Sequence, residues 1–404
     1  MFSAALGVSI MFNDKNGSKR PGETGDYRDK IRAHRTKNVY RVLLGIVVVG
    51  IVALIVRIQY VNHVYTGYEV TASVERNSSY DSSDIRLGKS ILTYSKDGAH
   101  CADSKGNVLW NQTYEIQDLK LATCGSIVGI ASYNGRNIYV LNENEQMCRI
   151  TTNMPIRDMC VAENGNSTVV IYDTNVTYLN TYNAAGEMIA TGQTHMSNSG
   201  YPAAIGLSPN GKMLAVGYMY VDAGTVKTTI AFYNFGSVGD NYTDYLVSGF
   251  DYTDLIVPEV GFLSNNIAYA IGDDRIMFYS GDEQPTVKAE YMLDQEILSV
   301  FSGNGHLGVV FAANSEDNRY RMSVYNINGE LQGDYYFDID YTDIFFEKKD
   351  FVIYNESECL IRTYDGKDKF KGTFDISVNV MMPTDKAYCY VIADDKNIKT
   401  IQLN

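Results

Sequence analysis

Tryptophan, proline and histidine are scarce in this chain, whose 404 residues include 1 Trp, 7 Pro and 5 His. Beyond residue 63 the only histidines are His100, His195 and His306, which are too few and too widely spaced for a histidine metal cluster. P-loop, nucleophile-elbow and zinc-protease motifs are also missing. The sequence therefore excludes the enzyme classes that these motifs mark.

Cysteines at metal-binding or redox spacing are missing too, because no C-x-x-C pair occurs. The six cysteines lie singly in apparent strands, where we expect them to be buried as small apolar side chains. Their even number leaves one or two disulfides open if the domain lies on the oxidising side of a membrane. They are Cys101, Cys124, Cys148, Cys160, Cys359 and Cys389.

Basic residues are rare beyond residue 63. Residues 1–63 hold 10 Lys and Arg against 4 Asp and Glu, so the totals of 34 and 48 leave 24 basic and 44 acidic residues, a balance of −20, in the remainder. So acidic a domain repels the phosphate backbone of nucleic acids. We therefore expect no nucleic-acid partner.

Tyrosine and glycine are abundant by contrast, with 32 Tyr and 34 Gly. Tyrosine favours strands, and glycine with Asn and Asp favours the turns between strands. Beyond Tyr68 the chain shows short strand patterns separated by such turns and no amphipathic helix. This composition predicts an all-β domain.

One long apolar run precedes that domain. Residues 42–56 are uncharged, and their apolar flanks extend the run to residues 39–61, enough for a transmembrane helix. The run lacks the polar face that a helix of a soluble protein would have. It is also not followed by the small-x-small site at which a signal peptide is cleaved. Nine Lys and Arg precede it and only Arg57 closely follows it, so the amino end should stay in the cytoplasm.

The predicted organisation is a single-pass protein of the cell membrane. It has a largely disordered basic cytoplasmic tail (1–38), a transmembrane signal anchor (39–61), a linker (62–67) and an extracytoplasmic domain (68–404). Met11 is followed by Phe, as Met1 is, so both residues are kept as candidate starts of translation.

An acidic residue followed by an aliphatic one opens a strand repeatedly, at intervals of 34, 40, 96, 42 and 47 residues. The long interval holds two units, the second opening at Tyr201, and a last unit opens near Ser377. Four strands per unit at this spacing predict an eight-bladed β-propeller, or a seven-bladed one if a unit is misread. The last unit has only three strands, so we expect residues 68–76 to supply its fourth.

Two motifs resemble those of known propellers. Ser208-Pro-Asn-Gly-Lys-Met-Leu-Ala-Val resembles the strand-turn-strand signature of WD40-like propellers, and Asp103-Ser-Lys-Gly-Asn-Val-Leu-Trp110 resembles the blade motif of pyrroloquinoline-quinone-type propellers. In the latter a tryptophan docks between blades, and later units of this chain carry Phe or Tyr there. Together with the tail and anchor, the chain resembles an uncharacterised family of membrane-anchored propellers of Gram-positive bacteria. The resemblance implies a location and a fold but no activity.

Three features of the sequence are candidate sites. Gly303-Asn-Gly-His-Leu-Gly308 matches G-x-G-x-x-G, but a strand pattern follows it where a dinucleotide site needs a helix, so we interpret it as a turn. Two tyrosine-rich stretches, residues 241–245 with 251–254 and residues 334–343, suit either recognition of a protein or glycan or packing between blades. The acids that open the units are either caps of their own turns or a negative ring at the channel mouth for a cation or a basic partner. They are Asp84, Asp118, Asp158, Asp254, Glu296 and Asp343.

The sequence thus favours a non-enzymatic module that binds a protein or cell-envelope partner outside the cell. The alternative is a metal-dependent propeller enzyme that uses the acidic ring. No cofactor is expected under the first interpretation, and a divalent cation under the second.

Overall fold

The computed structural model describes residues 26–76, 81–174, 176–195 and 200–404. It divides into two compact units, residues 1–63 and Val64–Asn404.

The first unit contains one helix, α1 (Asp26–Asn62). Within it, His34–Arg57 is long and apolar enough to cross a membrane, and its side chains are exposed. The helix begins 13 residues before the predicted boundary at residue 39, because Arg, Lys and Ala are good helix formers and extending a helix costs less than nucleating one. The rest of the predicted tail, residues 1–25, lies outside the described residues.

The second unit is an all-β propeller. Its described residues form 32 strands in eight antiparallel four-stranded sheets, which we number as blades 1 to 8. The strands of each blade are named A to D from the channel outward, and neighbouring A strands contact each other around the channel. The A–B turns form one mouth of the channel, which we call the A–B mouth. The D–A connections between blades form the other, the D–A mouth.

Blades 1 to 4 consist, in the order A to D, of β2 (Ser83–Leu87), β3 (Ser90–Tyr94), β4 (Gly98–Ala102) and β5 (Val108–Thr113); β6 (Leu119–Cys124), β7 (Ile127–Ser132), β8 (Asn137–Asn142) and β9 (Gln146–Thr151); β10 (Ile156–Val161), β11 (Ser167–Asp173), β12 (Val176–Tyr182) and β13 (Met188–His195); and β14 (Tyr201–Leu207), β15 (Met213–Asp222), β16 (Thr225–Asn234) and β17 (Leu246–Thr253). Two short 3-10 helices, Gly239–Asn241 and Thr243–Tyr245, lie between β16 and β17.

Blades 5 to 8 consist of β18 (Glu259–Ser264), β19 (Ile267–Ile271), β20 (Arg275–Ser280) and β21 (Thr286–Met292); β22 (Ile297–Gly303), β23 (His306–Ala312), β24 (Tyr320–Tyr325) and β25 (Leu331–Phe337); β26 (Asp343–Phe346), β27 (Asp350–Tyr354), β28 (Glu358–Thr363) and β29 (Asp368–Thr373); and β30 (Val380–Pro383), β31 (Cys389–Ala393), β32 (Asn397–Leu403) and β1 (Tyr68–Glu75).

Eight blades are confirmed, as is the closure of the ring. Strand β1 pairs antiparallel with β32, from Tyr68 opposite Leu403 to Glu75 opposite Asn397, and completes blade 8. One predicted unit start is wrong, since Asp254 does not open the A strand of blade 5. Asp254 follows the end of β17 with a positive φ of 56°, and Glu259-Val260 opens β18 instead. The reason is that blade 4 has longer strands, with ten residues each in β15 and β16.

The apolar cores lie between neighbouring blades, and aromatic side chains of the D strands join them. Trp110 on β5 donates from Nε1 to the carbonyl of Asn142 in blade 2 at 2.8 Å. Tyr291 and Tyr335 do the same from blades 5 and 6, donating to carbonyls of the next blade at 3.2 and 2.7 Å. The predicted tryptophan docking, with tyrosine in later units, is therefore confirmed.

Candidate functional site

A cavity of about 1050 Å³ occupies the channel at the A–B mouth. All eight blades line it with the A–B ends of their A strands and with the turns that follow. Apolar side chains such as Val161, Ile205 and Phe262 form much of its wall. A cavity of this size accommodates a small ligand or a loop of a partner protein.

The two mouths carry opposite charge. The A–B turns hold 5 basic residues (Lys89, Lys212, Lys348, Lys349 and Lys386) and 3 acidic ones (Glu163, Glu347 and Asp385), a balance of +2. The D–A connections hold Arg76 and 9 acidic residues, a balance of −8. Those acids are Asp81, Glu115, Asp118, Asp254, Asp294, Glu296, Asp338, Asp340 and Asp375.

A positive side chain enters the cavity itself. Arg86 on β2 of blade 1 lines the cavity, and its guanidinium carbon lies 4.4 Å from the centre of the Phe345 ring on β26 of blade 7. Blade 8 separates these two blades in the ring, so the side chain passes along the inside of the channel. The guanidinium is held by a cation–π contact at this place.

A chain of hydroxyl groups crosses the wall between blades 5 and 6. The Tyr269 hydroxyl donates to Glu259 at 3.0 Å and lies 3.3 Å from the hydroxyl of Ser302, which lines the cavity. Gly261 makes room for this ring, because a Cβ there would lie 2.5 Å from the Tyr269 hydroxyl oxygen. Burial raises the pKa of the Glu259 carboxyl, and the hydrogen bond from Tyr269 partly opposes that rise.

None of the six acids predicted as a ring lines the cavity. Asp84 is buried at the blade 8 to blade 1 seam in an ion pair with Arg76, whose side chain is also buried. The pair is bidentate, with distances of 3.1 and 2.5 Å, and Asp84 also accepts from Thr93 at 2.6 Å and Asn379 at 3.3 Å. Asp84 therefore joins the two blades at which the ring closes.

The other five acids take more exposed positions. Asp158 pairs with Lys120 at 3.3 Å, and Asp343 accepts from the backbone N–H of Ile344 at 2.8 Å. The remaining three, Asp118, Asp254 and Glu296, are exposed. Within the described residues, Asp343 is the one of the six that accepts a hydrogen bond from the backbone N–H of the next residue, so turn capping describes few of them. Their role in binding a ligand stays a prediction.

The described residues include no group of three or more His, Cys, Asp or Glu side chains that could hold a metal ion. All six cysteines are free thiols, five of them buried and Cys124 half-buried, as expected of small apolar side chains. Burial raises the pKa of Cys101 to about 12 and that of Cys124 to about 11. Such thiols stay protonated at neutral pH and are poor nucleophiles.

The two tyrosine-rich stretches pack mainly between blades. Tyr252 shares a hydrogen bond of 2.9 Å with Tyr279, and the Tyr341 ring packs edge-on against Phe301. Tyr242 and Tyr336 are the more open ones, with 40% and 44% of their surface exposed. The glycine motif at 303–308 is the turn between β22 and β23, with Asn304 and Gly305 at positive φ, as predicted.

Sequence reasoning missed Arg86, Glu259 and Tyr269. Nothing in the sequence shows that Arg86 crosses to blade 7, because that contact joins residues 259 positions apart (345 − 86). The acidic-aliphatic pattern does include Glu259-Val260, and a search that allowed blade 4 to be longer would have found it.

Comparison with known proteins places the chain in a family. The sequence matches the family described as "Family of unknown function (DUF5711)" from residue 61 to residue 403, which is most of its length. The chain belongs to this family. No curated protein sequence matches it.

Solved structures of similar shape are propellers of low sequence identity. BamB from Moraxella catarrhalis is 10% identical at a TM-score of 0.47, over 84% of this chain and 98% of that one. Sqt1 from Saccharomyces cerevisiae is 12% identical at a TM-score of 0.47, and the match covers 85% of this chain and 99% of that one. Hsv2 from Kluyveromyces lactis is 8% identical at a TM-score of 0.46, and the match covers 73% of this chain and 98% of that one. No functional conclusion follows from likenesses of this size.

Proposed function

We propose that this protein is a membrane-anchored binding module whose propeller holds a protein or cell-envelope partner outside the cytoplasm. The observation that carries the proposal is the cavity at the A–B mouth, which all eight blades line. Its wall combines apolar side chains with polar groups, and its rim carries charges of both signs, which together suit recognition of a partner.

The segment that enters the propeller packs beside the A–B mouth. The backbone N–H of Tyr65 donates to the carbonyl of Lys369 at 2.8 Å, and that of Thr66 to the carbonyl of Asn404 at 2.9 Å. The Tyr65 ring packs 4.8 Å from that of Tyr388, which ends the A–B turn of blade 8. The chain therefore enters the propeller on the side of the A–B mouth.

The apolar helix supplies the anchor in this proposal. His34–Arg57 spans the cell membrane, and the excess of Lys and Arg before it keeps the amino end in the cytoplasm. The propeller then lies outside. Cysteine labelling tests this orientation. Lys15 or Lys96 is replaced by cysteine, and intact cells are treated with a thiol reagent of low membrane permeability. Only the cysteine at position 96 should be labelled.

Site-specific photo-crosslinking tests the binding role. A photoreactive amino acid replaces Lys348, which is exposed at the A–B mouth, and in a matched variant it replaces Asp118, exposed at the D–A mouth. In intact cells we expect discrete adducts from position 348 and few from position 118. Adducts from neither position, or equal adducts from both, would contradict the proposed use of the A–B mouth.

Metal analysis separates this proposal from a metal-dependent enzyme. The purified protein is analysed for bound divalent ions, and its unfolding is followed with and without a chelator. We expect no stoichiometric metal and an unchanged melting temperature. A retained divalent ion whose removal lowers the melting temperature would favour the enzyme.

A further inference from the structure

We infer that Arg86 binds an anionic oxygen group, a phosphate or a carboxylate, of a ligand that enters the cavity through the A–B mouth. This inference rests on the proposed function, because it assigns a chemistry to the same cavity.

The position of Arg86 is fixed on one side only. The Phe345 ring covers one face of the guanidinium at 4.4 Å, and Phe345 is itself 2% exposed and packed in the core between blades 7 and 8. A stacked guanidinium keeps its edge N–H groups available in a rigid fork, the geometry that matches carboxylate and phosphate oxygens. Arg86 therefore offers a preformed set of donors inside the cavity.

The other half-buried arginines of the propeller already have hydrogen-bond partners in the protein. Arg76, Arg275 and Arg362 each lie within 2.5 to 2.8 Å of an Asp oxygen, and Arg157 and Arg321 donate to the side chains of Asn134 and Gln295. In the part of the chain that the structure describes, the guanidinium of Arg86 makes neither a hydrogen bond nor an ion pair with a protein group. Arg86 is therefore the exception among the half-buried arginines, and its N–H groups are available to a ligand.

Two of the three acids that line the cavity, Glu347 and Asp385, lie on blades 7 and 8 with a lysine beside each. Glu347 at the end of β26 is close enough for Arg86 to lower the pKa of its carboxyl, although burial, the larger effect, raises that pKa. Lys348 follows Glu347 in the same turn, and Lys89 on the rim is paired with Asp385 at 2.6 Å. Neither of these acids forms an ion pair with Arg86 in the described part of the chain, and Glu163, the third acid that lines the cavity, belongs to the A–B turn of blade 3.

Thermal unfolding of the purified full-length protein in detergent tests the inference. The probes are inorganic phosphate and acetate, each compared with sodium chloride at equal ionic strength. We expect at least one anion to raise the melting temperature of the wild type, and Arg86→Gln to weaken its apparent affinity at least about tenfold, the scale of a lost charge-assisted hydrogen bond. Arg149→Gln is the matched control, because Arg149 also lies over a ring, Tyr139, but outside the cavity, and it should behave as wild type.

Equal anion shifts in the wild type and Arg86→Gln, or no shift in the wild type, would overturn the inference. If Arg86→Gln does not fold, Arg86→Lys keeps the charge without the fork and should bind the anion more weakly than wild type. Crosslinking from position 348 gives the independent readout: adducts without an anion effect would reject the role of Arg86 and leave the binding module standing.

Nanodiscs distinguish the two sources of a phosphate group. The full-length protein is placed in phosphatidylcholine discs and in phosphatidylglycerol discs, and phosphate is titrated into each. A phosphate shift lost only in phosphatidylglycerol discs identifies a lipid headgroup as the ligand, and an equal shift in both discs identifies a soluble one. If phosphate shifts the melting temperature of Arg86→Gln as much as that of the wild type in both kinds of disc, Arg86 does not bind phosphate.

Discussion

The two mouths of one channel differ in charge and in what their charged residues do. The D–A mouth has a balance of −8, and its most buried acid-base pair, Asp84 with Arg76, joins the blades at which the ring closes. The A–B mouth has a balance of +2, and it holds the cavity and Arg86. The net charge of −14 for the chain conceals this difference. Acids that recur at equivalent positions of the blades therefore do not by themselves identify a binding site.

The largest expected effect is at the D–A mouth, where Asp84→Asn tests whether that acid is structural. The substitution leaves Arg76 buried without a charged partner, so the free energy of unfolding of the propeller should fall by about 3–5 kcal/mol. Urea unfolding of residues 64–404 measures it.

Asp118→Asn is the control for that experiment, because Asp118 lies at the same mouth but is exposed. Its unfolding midpoint should not move. Equal effects of the two substitutions would show that the ion pair between Arg76 and Asp84 does not make Asp84 more important for stability than the exposed acids at this mouth.

Most of the fold could be predicted from the sequence because it repeats. The need for a closing strand followed from counting strands in the last unit, and the predicted strand at residues 68–76 differs from β1 (Tyr68–Glu75) by one residue. Only Asp254 was misplaced, because blade 4 has longer strands than its neighbours. Local sequence patterns suffice to locate the blades wherever neighbouring blades have strands of similar length.

The candidate site could not be predicted in the same way. The sequence pattern pointed to acids near the beginning of the A strands, whereas the cavity lies at the opposite ends of those strands. Arg86 and Phe345 lie on strands from opposite ends of the chain, and nothing in their local sequence sets them apart. Contacts between distant blades depend on the closed ring, which no local pattern describes.

At the A–B mouth, Gly261→Ala tests whether the wall is tightly packed around Tyr269. The added Cβ would lie 2.5 Å from the Tyr269 hydroxyl oxygen and should displace the ring, lowering the free energy of unfolding by about 1–3 kcal/mol. Gly303→Ala is the matched control, because a Cβ at Gly303 meets nothing within 4 Å. If both variants unfold at the same urea concentration, Tyr269 is free to move and the wall is not rigid.

Glu259→Gln tests the cost of the half-buried carboxylate in that wall. Because the pKa of Glu259 is raised in the folded state, the native protein binds this proton more tightly than the unfolded chain, and its stability falls as pH rises through the folded pKa. The variant keeps an acceptor for Tyr269 and should gain about 1 kcal/mol or less at pH 7, the scale of one buried polar group. The gain should shrink as the pH is lowered, because Glu259 itself then becomes protonated. A gain that does not vary with pH would have another cause.

The smallest effect is expected at the rim of the A–B mouth. Lys89 and Asp385 join the turns of blades 1 and 8 at 2.6 Å, but their side chains are 74% and 85% exposed. An ion pair in contact with water loses most of its attraction to solvent screening, so Lys89→Ala and Asp385→Ala should leave the urea midpoint unchanged. This is the same seam that Arg76 and Asp84 close at the D–A mouth, so the two pairs differ in burial and not in the blades that they join. A clear loss of stability at the rim pair would show that the seam itself, and not burial, makes a charge pair stabilising in this ring.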